Sequence, residues 1–128
     1  MAIINFTSNE VIEMTVLDRF LHYVSFETTA TEERDDACSN PLILNLTNEL
    51  LKELEALHPD EISVNRFGVI DAKFNGDTSK PAIALLAHMD TSNACSGKDV
   101  KPRIVDFDGS DVELQKGMTL SMEEFPAL

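Results

Sequence analysis

The sequence is poor in cysteine, in basic side chains and in long apolar runs. Its 128 residues hold two cysteines, Cys38 and Cys95. Two make no disulfide framework and share no metal-type spacing, so both read as free thiols of a reducing compartment. Ten Lys and Arg stand against 23 Asp and Glu, a net charge of −13. Nucleic acid and anionic lipid are bound by clustered cations that displace counterions, so neither is an expected partner. The acidic residues are scattered and read as a solvated surface. No apolar stretch approaches the ~20 residues of a membrane span. The start, Met1-Ala2-Ile3-Ile4-Asn5-Phe6, has neither the basic region nor the apolar length of a secretory signal. The two glycosylation sequons, at Asn5 and Asn45, therefore read as chance, and the expected location is the cytoplasm.

What is present is a folded chain of one domain, with 43% hydrophobic residues. Thr15 with Asp18 resembles a helix start, and Leu17, Phe20, Leu21 and Val24 follow at helical spacing with Asp18, Arg19 and His22 outside. This predicts a helix near 12–26. The polar stretch 27–40 reads as a loop. Asn40 as cap and Pro41 in the first turn open a second helix over 41–57, striped by Ile43, Leu46, Leu50, Leu54 and Leu57 and ended by His58-Pro59. The period then changes. Residues 62–64 and 69–74 alternate around Gly68, a hairpin, and 104–107 with 112–114 around Asp108-Gly109 suggest another. Between them Ala82-Ile83-Ala84-Leu85-Leu86-Ala87 is a continuous apolar run, which predicts a strand covered on both faces. The order of elements is α/β, with the helices packed on a mixed sheet that contains 82–87.

Chemistry concentrates where that run ends, at His88-Met89-Asp90. Residues two apart on extended backbone project from one face, so His88 and Asp90 point together. In open α/β sheets ligands gather beyond the carboxyl ends of strands. A neutral imidazole can bind zinc through one nitrogen while its other nitrogen is fixed by a neighbouring acceptor. With eleven Asp and three His, the spacing alone is weak, and His58-Pro59-Asp60 repeats it at a helix end, where His58 reads as a terminal cation. On residues alone, His88 and Asp90 are either a functional pair or a satisfied core histidine beside a charge. Ser92, Cys95 and Lys98 lie nearby, but no base is placed for a nucleophile, and they read as turn residues.

Residues 86–92, Leu86-Ala87-His88-Met89-Asp90-Thr91-Ser92, resemble the first metal-ligand motif of the peptidase T family, tripeptide aminopeptidases among the dizinc exopeptidases. Residues 19–26 resemble that family's first helix, 96–105 its stretch after the motif and 120–126 its next segment, all in the family's order. The segment before the second helix departs from it, reading Ser39-Asn40-Pro41 where the family has Gly-Gln. The resemblance implies that His88 binds one of two zinc ions and that Asp90 is catalytic, orienting the imidazole. It implies a short peptide substrate with a free amino terminus and a three-layer α/β/α catalytic domain, of which 1–128 would be the amino-terminal portion without the dimerisation or lid domain. The apolar close, Phe125-Pro126-Ala127-Leu128, fits such a fragment, whose own zinc binding is expected to be weak and whose oligomeric state stays open. The short motif is shared with related amidohydrolases and carboxypeptidases. A non-catalytic truncated α/β module is the reading from outside enzymology.

Overall fold

Thr15 opens the first helix as its sequence predicts. In the computed structural model, which describes residues 14–31, 40–115 and 117–127, the Thr15 hydroxyl accepts from the Asp18 amide and the Asp18 carboxylate accepts from the Thr15 amide. This reciprocal cap satisfies two donors that the first turn leaves open. The helix, α1, runs over Val16–Tyr23; whatever precedes residue 14 in the expected span lies outside the described residues.

The second helix, α2 (Ile43–Ala56), begins later than its cap signal suggests. The Asn40 side chain accepts from the Leu42 amide at 2.9 Å and forms a turn around Pro41, and the helix follows that turn. Its amino-terminal half buries Ile43 and Leu46 as the stripe predicts, and Thr47 beside them, whereas Leu57 at the far end is exposed. His58 closes the helix in the left-handed region (φ 53) and is exposed, which fits its reading as a terminal residue.

The two helices meet through the face of α1 expected to be solvated. Arg19 Nε donates to Glu53 Oε2 at 2.9 Å, the Tyr23 hydroxyl donates to the same oxygen at 2.8 Å, and His22 Nε2 lies 3.4 Å from Glu49 Oε1. Of the predicted apolar stripe Leu17, Phe20, Leu21 and Val24, the first two are exposed and the last two are half-buried. Residues 19, 22 and 23 share one helical face and so do 49 and 53, so two rows of polar groups meet in register. The buried Glu53 carboxylate is held at Oε2 by a cation and a hydroxyl, and those two bonds favour this rotation of α1. Burial, then the bond to Glu53, pushes the Tyr23 phenol above its ordinary range.

After α2 come β1 (Glu61–Val64) and β2 (Ile70–Lys73), antiparallel, with Ile62 opposite Ala72 and Val64 opposite Ile70. The connection is held by Asn65, whose side chain accepts from the Phe67 and Val69 amides, and by Gly68 at φ 82. Gly68 is buried against α2. The Thr47 hydroxyl, in the most buried side chain described (2% exposed), lies 3.3 Å from the carbonyls of both Ile43 and Gly68. A Cβ at Gly68 would sit 2.9 Å from Leu44 Cδ2 and 3.2 Å from Thr47 Oγ1. Gly68→Ala is therefore expected to cost about 1–3 kcal/mol. Gly109→Ala, at φ 87 but facing open space, should cost less, and comparison of urea midpoints checks the ordering; equal losses would refute the packing account.

Two sequence expectations fail here. The run 82–87 has no regular strand hydrogen bonding, and Ile83, Leu85 and Leu86 are 87%, 95% and 92% exposed. Apolarity suits a residue to a covered strand but supplies no neighbour to pair with, and no described strand lies beside this run. The second hairpin is also displaced along the chain. It joins β3 (Val112–Gln115) to β4 (Met118–Leu120), with a register shift between Glu113 and Gln115, while 104–107 stays irregular. Asp108-Gly109 does form a turn, with Ser110 bonded to the Asp108 carboxylate, but Gly117 at φ 80 makes the turn between paired strands. The described fold is thus a small α/β arrangement of two helices and two two-stranded antiparallel sheets. Among the described residues no helix is long and apolar enough to cross a membrane.

Candidate functional site

His88 and Asp90 come together as their spacing predicts, although on irregular backbone rather than at the end of a strand. His88 Nδ1 lies 2.7 Å from the Asp90 carbonyl oxygen and 3.1 Å from Asp90 Oδ1. Both oxygens are acceptors when the carboxyl is ionised, so the ring nitrogen between them carries the hydrogen. In the neutral ring the remaining lone pair is then on Nε2, and with the His88 side chain 84% exposed, that nitrogen is presented to the outside. In this structure the His88 side chain is exposed and is not packed in a core. Asp90 is half-exposed and combines two roles in one residue, since its main-chain and side-chain oxygens hold the same N–H.

Met89, between them, turns inward. Its sulfur lies 3.8 Å from the Thr47 hydroxyl, so the middle residue of the motif is seated against α2 and the β1–β2 turn. The segment that follows is tied to the chain after α1 by a parallel bridge between Thr29 and Thr91. The Thr91 amide donates to the Thr28 carbonyl at 3.0 Å and the Ala30 amide donates to the Thr91 carbonyl at 2.9 Å. Asn40 Nδ2 donates to the Thr29 carbonyl, and the Gly97 amide donates to Thr29 Oγ1, each at 2.9 Å. None of Thr28, Thr29, Asn40, Thr47 and Gly97 stands out in the sequence as a site residue. Thr28 and Thr29 lie in a polar stretch that reads as loop, because a single bridge across more than 60 residues leaves no local periodicity.

The turn residues behave as expected. The Ser92 and Ser96 hydroxyls accept from the Ala94 and Lys98 amides at 3.1 and 3.2 Å, and Cys95 is an exposed free thiol. Cys38 lies outside the described residues. Among the described residues no group of three or more His, Cys, Asp and Glu side chains could hold a metal ion. What these residues do fit is one ligand of such a site, His88 through Nε2, with Asp90 as the partner that fixes its tautomer.

A histidine held at Nδ1 by a carboxylate two residues on, with its side chain exposed, has the chemistry of a single metal ligand and its orienting partner. Curated relatives of this chain are peptidases T. The chain is 43% identical over 119 residues to the peptidase T of Parabacteroides distasonis, a match covering 90% of this chain. It is 42% identical over 118 residues to the peptidase T of Caldanaerobacter subterraneus, covering 88%, and 34% identical over 119 residues to that of Shouchella clausii, covering 91%. In each case the chain spans 29% of the relative's length. No protein-family model matches it. The chain is thus similar to peptidase T over nearly all of its own length.

Proposed function

We propose that this chain forms part of a zinc-dependent aminopeptidase of the peptidase T type, in which His88 is a ligand of one of two zinc ions and Asp90 is its catalytic partner. One observation carries the reading: His88 Nδ1 lies 2.7 Å and 3.1 Å from two oxygens of Asp90, on a side chain that is 84% exposed. Similarity of 34–43% to curated peptidases T supports the reaction class. The substrate is a short peptide with a free amino terminus, a tripeptide above all. Water adds across its first peptide bond, giving the free amino-terminal residue and the shortened peptide.

Bound zinc supplies a Lewis acid for the scissile carbonyl and a water acidified towards neutral pH. This chain's own contribution is positional. Asp90 holds the imidazole in the tautomer that leaves the Nε2 lone pair for coordination, and its negative charge strengthens that donor nitrogen. Three or more protein ligands per ion are needed, and we place the others in the portion of the relatives' length that this chain does not match. In the same reading, residues 1–128 belong to the amino-terminal portion of a three-layer α/β/α catalytic domain, 82–87 becomes a covered strand there, and the enzyme works in the cytoplasm.

A chimera tests this directly, with residues 1–128 replacing the matching portion of the Parabacteroides distasonis peptidase T. Release of the first residue from tripeptides, abolished by amino-terminal acetylation of the substrate and by chelation, is the expected result. A folded chimera that instead removes carboxyl-terminal residues or hydrolyses N-acyl amino acids overturns the assignment.

A further inference from the structure

The peptide unit between Asp90 and Thr91 takes part in two bonds on opposite sides. Its N–H donates to the Thr28 carbonyl at 3.0 Å, and its C=O accepts from His88 Nδ1 at 2.7 Å. The peptide is trans, so these groups point in opposite directions and turn as one rigid plane. Whatever fixes the N–H towards Thr28 therefore also fixes the carbonyl towards His88.

The Thr28 side of this arrangement is itself held. Thr29 is bonded at both its carbonyl, by Asn40, and its hydroxyl, by the Gly97 amide, and the Thr28 and Thr91 hydroxyls lie 3.4 Å apart. Gly97 fits closely. A Cβ there would stand 2.7 Å from Thr29 Oγ1, inside contact distance and against a short, stiff side chain that already accepts from the Gly97 amide.

We infer that Thr29 and Gly97 form a latch that sets the tautomer of His88, acting through the Thr28–Thr91 bond and the Asp90 peptide plane. Thr29 is a positioning residue, because it touches neither the imidazole nor anything the imidazole would bind. The inference rests on the reading of His88 as a ligand through Nε2, and its test needs neither metal nor activity.

The ring nitrogens of His88 are observed by long-range ¹H–¹⁵N NMR in the 128-residue chain and in the Thr29→Val, Thr29→Ser and Gly97→Ala variants. In the unsubstituted chain the Nδ1–H form dominates. Thr29→Val keeps the side chain's shape but removes the acceptor, and Gly97→Ala pushes the same contact apart from the other side. Each is expected to shift the tautomer ratio of the neutral ring towards Nε2–H by about fivefold, the equivalent of one ordinary hydrogen bond. Amide signals of α2 and the β1–β2 hairpin stay in place, and Thr29→Ser restores the ratio. A ratio indifferent to both Thr29→Val and Gly97→Ala would mean that the Asp90 carboxylate alone holds the ring, and it overturns the latch. So does loss of the ratio in Thr29→Ser to the same extent as in Thr29→Val. An inactive chimera would sink the peptidase reading without touching this result, and the converse also holds.

Discussion

His88→Ala in the chimera is expected to abolish bound zinc at one of the two positions and to lower kcat/KM by at least about 100-fold, the upper end of what loss of an outer-shell partner costs. Asp90→Asn provides the graded companion. The asparagine oxygen can still accept from Nδ1, so the ring stays near its orientation, but the negative charge is lost, and a decrease of about 10–100-fold with zinc largely retained is expected. The two substitutions thus separate binding from tuning. Metal content by elemental analysis and tripeptide kinetics check them on the same preparations. Full zinc occupancy in a folded His88→Ala chimera would end the ligand assignment, whatever the activity.

Leu85→Asp should produce opposite results in the two settings. In the 128-residue chain Leu85 is 95% exposed, and a charge placed there meets water, so the stability change should stay within about ±0.5 kcal/mol. In the chimera the proposed strand is covered, and the same carboxylate becomes a buried charge without a partner, at a cost of more than about 3 kcal/mol. Thermal unfolding of both proteins tests the contrast. A chimera indifferent to Leu85→Asp would show that this run is a surface segment in the longer protein too, and it would remove the three-layer architecture from the proposal.

Local signals were legible where a few neighbouring residues settle the geometry. Thr15 and Asp18 complete a cap within one turn, and Gly68 supplies the left-handed residue of the β1–β2 connection. The His88–Asp90 pair was legible for the same reason, since two residues three positions wide need only a bent or extended backbone to meet. The β3–β4 hairpin was misplaced because Asp108-Gly109 and Gly117 both supply left-handed turns, and only strand pairing distinguishes a hairpin turn from an isolated one.

By itself, then, the sequence determined the helices, the first hairpin and the chemical pair at 88 and 90, all products of short-range sterics and hydrogen bonding. Only the tertiary structure decided which face of α1 meets α2, because that rests on Glu53 finding Arg19 and Tyr23, 34 and 30 residues away. It also decided that 82–87 lies exposed, since an apolar run is a strand only when another strand stands beside it. And it alone joined Thr28 to Thr91, fixing the peptide plane on which the histidine's tautomer rests.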